Sequence, residues 1–166
     1  MEFLILSDTH GRRRAVEQVM GRQVCPPDAT LFLGDGLSDL GDRSDGVPVI
    51  RVRGNCDWAA GPFGDVPEEA TFTFEGYRFF LTHGHRYGAK SGTGGLICAA
   101  LERGADLVLY GHTHTPALET LPAGTPTAAG VLERPLWIFN PGSLAEGSFG
   151  TLTLRPGTVL FSHGTL

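Results

Sequence analysis

The chain has 166 residues, 41% of them hydrophobic, the length and composition of a globular domain with a proper core rather than of a disordered or fibrous chain. Its formal net charge of -5 argues against a broad electrostatic grip on nucleic acid, because affinity for the phosphate backbone comes from clustered Lys and Arg. An anionic ligand would need a local positive centre, which bound divalent cations supply without showing in the sequence charge.

In chain order, Glu2 to Ser7 is a short continuous apolar run, the pattern of a strand buried on both faces in a parallel or mixed sheet. Met1 leads into it without a basic leader, and no apolar run reaches the ~20 residues of a membrane span, so a cytoplasmic protein without membrane contact is expected. Arg12 to Gln23 sets Ala15, Val16, Val19 and Met20 at helical spacing opposite a charged face, and Pro26-Pro27 stops it. Ala29 to Leu33 and Pro48 to Arg53 read as further buried strands, ending in Gly34-Asp35-Gly36 and Gly54-Asn55-Cys56-Asp57. Between them, Leu37 to Gly46 carries Asp39, Asp42 and Asp45 and reads as a solvated loop with a short helix, although Asp39 could orient a metal ligand. Trp58 to Pro67 is loop. The alternation Thr71-Phe72-Thr73-Phe74, a turn at Gly76-Tyr77 and the run Arg78 to Thr82 predict a hairpin that ends in Thr82-His83-Gly84-His85. A glycine-rich stretch then opens a helix over Ser91 to Glu102, and strand Asp106 to Tyr110 ends in Gly111-His112-Thr113-His114. The remainder is β, with strands near Leu118 to Leu121, Pro135 to Phe139, Gly150 to Leu154 and Thr158 to Phe161. This order predicts an α/β fold in one domain over residues 1–166, two packed mixed sheets flanked by helices.

Five strand ends therefore carry Asp8-x-His10, Gly34-Asp35, Gly54-Asn55, His83-Gly84-His85 and His112-x-His114, and five of the six histidines lie in these segments. Open α/β sheets place their sites where the carboxyl ends of strands converge. Imidazole, carboxylate and amide oxygen together suit manganese, iron, zinc or nickel rather than calcium. Seven donors exceed one tetrahedral site; two cations sharing Asp35 would use all of Asp8, His10, Asp35, Asn55, His83, His112 and His114. Such a pair, about 3.5–4 Å apart, activates a water and clamps a phosphoryl group for in-line displacement.

These motifs, in this order, resemble the calcineurin-like metallophosphoesterase superfamily, and more narrowly its small YfcE-type phosphodiesterase branch, to which Asn140-Pro141-Gly142-Ser143 also corresponds. The resemblance implies a four-layer αββα sandwich. It assigns Asp8, His10 and His114 to the first metal, Asn55, His83 and His112 to the second, and Asp35 to both. It also implies phosphodiester substrates over monoesters, with manganese the most activating metal. The larger family has a histidine, serving the transition state or leaving group, where Cys56 stands here. A thiol of pKa ~8.5 substitutes poorly for an imidazole near ~6.5, so good leaving groups should be favoured. Asn55, Cys56, Asp57 and His85 are the expected catalytic residues, with Cys56 either facing substrate or a small buried thiol, and His85 either contacting substrate, donating a proton or hydrogen-bonding a ligand.

The remaining features read more plainly. Cys25 and Cys98 are expected to be packing residues, all three cysteines reduced thiols, and His163 a surface residue. Arg12 to Arg14 could approach phosphate at a helix N-terminus or form a solvated face. Ser91 to Gly95 lacks the lysine of a phosphate-binding loop. Phosphomonoesterase and nucleotide hydrolase remain alternatives within the same site. So does a binding module, since the same fold serves as a scaffold with an impaired metal site in the vacuolar-sorting retromer complex. A small soluble ester is the expected partner, and a late strand such as Pro135 to Phe139 could supply an edge for homo-oligomers.

Overall fold

In the computed structural model, which describes residues 1–41, 46–58 and 61–166, the first strand explains its own unbroken apolar run. Strand β1 (Glu2–Leu6) turns Phe3 and Ile5 to one side and Leu4 and Leu6 to the other, and all four are buried. A strand covered on both faces has no reason to alternate.

Helix α1 (Arg13–Gly21) follows and buries Val16 and Val19, then come β2 (Ala29–Phe32) and β3 (Val49–Arg51). The hairpin is β4 (Glu69–Phe74) and β5 (Tyr77–Thr82), followed by α2 (Gly94–Arg103) and β6 (Leu107–Leu109). The β-rich end contains β7 (Ala117–Leu121), a short ribbon of β8 (Pro126–Thr127) and β9 (Gly130–Val131), then β10 (Leu136–Asn140), β11 (Ser148–Arg155) and β12 (Thr158–Thr165). One sheet has the order β12-β11-β1-β2-β3 and the other β4-β5-β6-β10-β7. Both are mixed: β1, β2 and β3 are parallel to one another, as are β5, β6 and β10, while β11, β12, β4 and β7 pair antiparallel.

Three apolar clusters mark the layers. The central one joins Phe3, Ile5 and Leu31 of the first sheet to Phe79, Leu81 and Phe139 of the second. Outside the first sheet, Leu4, Leu6 and Phe32 pack on Val16 and Val19 of α1; outside the second, Phe80, Val108 and Ile138 pack on Leu96, Ala99 and Ala100 of α2. The fold is thus a four-layer αββα sandwich. Ile5 lies fully buried in the central layer. Replacing it by Val is expected to cost about 1 kcal/mol for the lost methylene and its cavity, read from the urea midpoint at unchanged slope.

Several expectations need correction. Helix α2 begins at Gly94 rather than Ser91, because Gly92 sits at φ +132, ψ 178, which no helix accommodates. The polar segment after β2 is not simply a solvated loop: Leu37–Leu40 is a 3₁₀ turn with Leu37, Asp39 and Leu40 buried, while Asp42 and Asp45 lie outside the described residues. Strand β10 is interior, paired on both sides, and offers no edge; the sheet edges are β12 and β3, and β4 and β7. Cys25 is exposed rather than packed, and Cys98 is half-buried on α2. His163 is exposed, as expected of a surface residue, with its Nε2 2.8 Å from the Asn140 carbonyl and its ring stacked on Phe139. Among the described residues no helix is long and apolar enough to cross a membrane.

Candidate metal centre

The parallel strands β1, β2 and β3 in one sheet and β5, β6 and β10 in the other carry their polar segments at their C-terminal ends, and backbone bonds tie those ends together. Asp8 N donates to Gly34 O (3.0 Å), Gly111 N to His83 O (3.1 Å) and Leu144 N to Ser7 O (2.9 Å). Side chains also cross between the sheets: His83 Nδ1 donates to Leu33 O at 2.7 Å, which leaves Nε2 facing the opposite way.

The backbone is held in an unfavourable conformation at these ends. Among the described residues, six other than glycine have positive φ, and five of them are expected ligands: Asp8 (54°), His10 (44°), Asp35 (59°), His112 (67°) and His114 (62°). The sixth, Glu75, is in the hairpin turn. Left-handed backbone costs on the order of 1 kcal/mol per residue and persists where surrounding structure imposes it for function.

The side chains converge. His10 Nε2 and His114 Nε2 lie 3.1 Å apart, and Asp8 Oδ1 is 3.2 Å from His114 Nε2, 3.6 Å from His10 Nε2 and 3.9 Å from His83 Nε2. His83 Nε2 is 3.2 Å from Asp35 Oδ2. The donor atoms of Asp8, His10 and His114, and separately of Asp8, Asp35 and His83, all lie within 4.8 Å of one another. Asp8 Oδ1 and His83 Nε2 are buried without a hydrogen-bond partner. Two orphaned buried donors in a nest of carboxylates and imidazoles are costly unless something binds them, and a divalent cation satisfies both; the residues present fit metal ions. The ring of His112 lies 5.1 Å from that of His83. Asn55 is exposed at the rim, its amide nitrogen donating to Cys56 Sγ at 3.3 Å.

Neighbouring residues hold the expected ligands in place. Asp8 Oδ2 accepts from Ser7 Oγ (2.6 Å) and His112 N (3.0 Å), so only Oδ1 is left over. Asp39 Oδ2 accepts from Thr9 Oγ1 (2.5 Å) and Gly11 N (2.8 Å), bracketing His10. Glu146 Oε1 accepts from His114 Nδ1 at 3.1 Å. Buried Asn140 donates to Gly111 O and Thr113 Oγ1 and accepts from Gly142 N, and Ser143 Oγ donates to Asp8 O. Asp57 differs from its expected catalytic place: Oδ1 accepts from Gly36 N and Leu37 N, Oδ2 from Asp35 N and Gly54 N, all within 2.9 Å. It is a positioning residue with its carboxylate turned to backbone. Of these orienting residues, the sequence flags Asp39, Asp57 and the Asn140-to-Ser143 motif; Ser7 and Glu146 carry no local signal. Asp39→Ala is expected to weaken cation binding by about 10-fold to 100-fold, since the Thr9 hydroxyl and the Gly11 amide, on either side of His10, lose their anchor; isothermal titration with Mn²⁺ measures it.

Two glycines are required by close approach. A Cβ on Gly54 would lie 2.6 Å from Asp35 N, and one on Gly111 2.7 Å from Asp8 Oδ2.

The electrostatics follow from carboxylates and imidazoles sharing one crevice. Burial raises the Asp35 pKa, but contact with His83 and its charge, with the Cys56 amide, outweigh it and hold the carboxyl well below its usual range. Burial likewise opposes protonation of His83, yet Asp35 and then Asp8 prevail and its pKa lies above the ordinary histidine value. Burial, then the charge of His83, lowers His85 and His112. The Cys56 thiol is pushed up to about 11 by burial, then by its contact with Asp35 and the charges of Asp35, Asp57 and Asp8. His85 Nδ1 is buried without a partner, and its ring lies 5.5 Å from that of His83. Beside the centre, Arg12, Arg13 and Arg14 line a groove of about 740 Å³ with Glu146, and Arg13 pairs with Glu17 at 3.1 Å.

The family model of the calcineurin-like phosphoesterase superfamily domain matches residues 1–162. A probable metallophosphoesterase of Bacillus subtilis, YsnB, is 32% identical over 87% of this chain and 75% of its own. The phosphodiesterase YfcE of Escherichia coli K12 is 29% identical over 87% of this chain and 80% of its own. Among solved structures, a Vps29 single mutant from Entamoeba histolytica superposes with a TM-score of 0.71 at 17% identity, covering 100% of this chain and 99% of that one, a likeness of fold.

Proposed function

The chain belongs to the calcineurin-like phosphoesterase superfamily and is a phosphoesterase, and from that premise we propose that it hydrolyses small phosphodiesters with two divalent cations, manganese the most activating. The observation that carries this reading is the pair of buried, unpartnered donors, Asp8 Oδ1 and His83 Nε2, inside two overlapping trios of ligands. We read residues 1–166 as one such domain.

Asp8, His10 and His114 would hold one cation, Asn55, His83 and His112 the other, with Asp35 shared between them. Such cations, when bound, neutralise a phosphoryl group and make water an effective nucleophile near neutral pH. The protein's part is positioning. Ser7 and the His112 amide hold Asp8 so that a single oxygen faces the centre. The Leu33 carbonyl holds the proton of His83 on Nδ1 and leaves Nε2 as donor. Cys56 takes the place of the larger family's histidine beside the centre, and a thiol at about 11 is a weaker acid there than an imidazole. Diesters with acidic leaving groups, which depart without a proton, are therefore the favoured substrates. A scaffold role is disfavoured by the intact ligand set.

The test is turnover by metal-stripped protein on adding Mn²⁺, with bis(p-nitrophenyl) phosphate beside p-nitrophenyl phosphate. A higher kcat/KM on the diester is expected. Faster monoester hydrolysis would overturn the substrate class, and no hydrolysis of either with cations bound would overturn the enzyme reading.

A further inference from the structure

Cys56 sits where the seven-ligand scheme gives it no task, yet its sulfur is part of a third group of possible donors. The ligand atoms of His10, Asp35 and Cys56 all lie within 4.8 Å of one another. Two donors around one tetrahedral cation stand roughly 3.5 Å apart, from metal–sulfur and metal–nitrogen bonds of about 2.3 and 2.0 Å. Two of the three members belong to the ligand set already described, so the thiol is beside the centre.

We propose that Cys56 is a further, thiolate donor to this centre and raises its affinity for thiophilic cations, Cd²⁺ above all, beyond what its oxygen and nitrogen ligands alone would give. The inference rests on the metal centre of the preceding reading. Binding exchanges the S–H bond for a sulfur–metal bond, and the proton leaves to solvent. The local backbone favours this placement. The Cys56 amide is pinned to Asp35 Oδ1 at 2.7 Å, and Gly54, packed against Asp35, lets the loop approach so closely. Asn55 Nδ2 donates to Sγ at 3.3 Å, a bond that supports negative charge on sulfur. Thiolate selects softer ions and adds nothing for hard ones. The consequence is a division of labour: manganese supports turnover, and thiophilic ions displace it from the position next to Cys56.

The experiment is a titration of metal-stripped full-length protein with Cd²⁺, following the near-ultraviolet sulfur-to-cadmium charge-transfer band and bound cadmium by elemental analysis. The band should grow in wild type and in a Cys25→Ser/Cys98→Ser variant, and vanish in Cys56→Ser with the cations still bound. Cadmium affinity should fall on the order of tenfold or more in Cys56→Ser, with Mn²⁺ affinity nearly unchanged. Bound cadmium without the band, or a band surviving in Cys56→Ser, would overturn the thiolate donor and leave the hydrolase reading standing. A chain that binds no cation at all would overturn both.

Discussion

Asp35→Asn is expected to lower kcat/KM on a diester by on the order of 10³-fold or more, and His83→Ala to do the same, because each removes a proposed ligand from the centre and uncovers a buried neighbour. The two side chains touch: His83 Nε2 is 3.2 Å from Asp35 Oδ2, and both are essentially inaccessible to solvent. In the Asp35→Asn variant the carboxylate charge is gone, so the shared position loses most of its attraction for cations and the imidazole loses its counter-charge. In the His83→Ala variant the Leu33 carbonyl loses its hydrogen-bond donor and Asp35 Oδ2 loses the imidazole that lies 3.2 Å away. The two variants should therefore also bind less metal, measured by elemental analysis after gel filtration. Wild-type turnover in either variant, at full cation occupancy, would remove the basis for the proposed mechanism. A variant that loses activity but keeps two cations would move Asp35 or His83 from ligand to substrate contact.

The second large effect concerns folding. Asp57→Ala should destabilise the protein by about 3–5 kcal/mol, since four backbone amides lose their common acceptor and an unsatisfied buried donor costs about 1–3 kcal/mol, partly recovered by water. Those amides belong to Asp35, Gly36, Leu37 and Gly54, so the carboxylate ties the turn after β2 to the turn after β3. Asp57→Asn, with one acceptor oxygen and a donor amide in place of the second, should fall between wild type and Asp57→Ala. The urea midpoint measures the cost. Hydrogen exchange should accelerate first at residues 35–37 and 54. A loss below about 1 kcal/mol in Asp57→Ala would show that the cradle contributes little.

The same residue illustrates what a sequence conveys. The expected catalytic role of Asp57 followed from its place beside Asn55 and Cys56. A carboxylate's chemistry depends on whether its lone pairs face the cavity or the backbone, and nothing in four letters says which. Asp39 is the parallel case. Set among Asp42 and Asp45 it reads as solvated, yet Leu37 and Leu40 drive its turn into the outer core, where its carboxylate anchors Thr9 and Gly11. Glu146 reaches His114 from more than thirty positions along the chain, through the turn after β10. Strand β10 read as a candidate edge because strand order is set by crossovers, which local pattern does not encode.

Composition and local pattern by themselves determined that this chain forms buried strands with polar C-terminal ends, since unbroken apolar runs can only be covered on both faces and their polar ends can only emerge at a rim. They also determined which donors are available, because residue type dictates ligand chemistry. The tertiary structure alone decided which lone pairs meet. Packing two sheets face to face brought Asp8, His10 and His114 beside Asp35 and His83, left five of the expected ligands in left-handed backbone, and turned Asp57 away from the crevice. Those outcomes depend on distances between segments far apart in the chain, set by the shared core and not by any one segment.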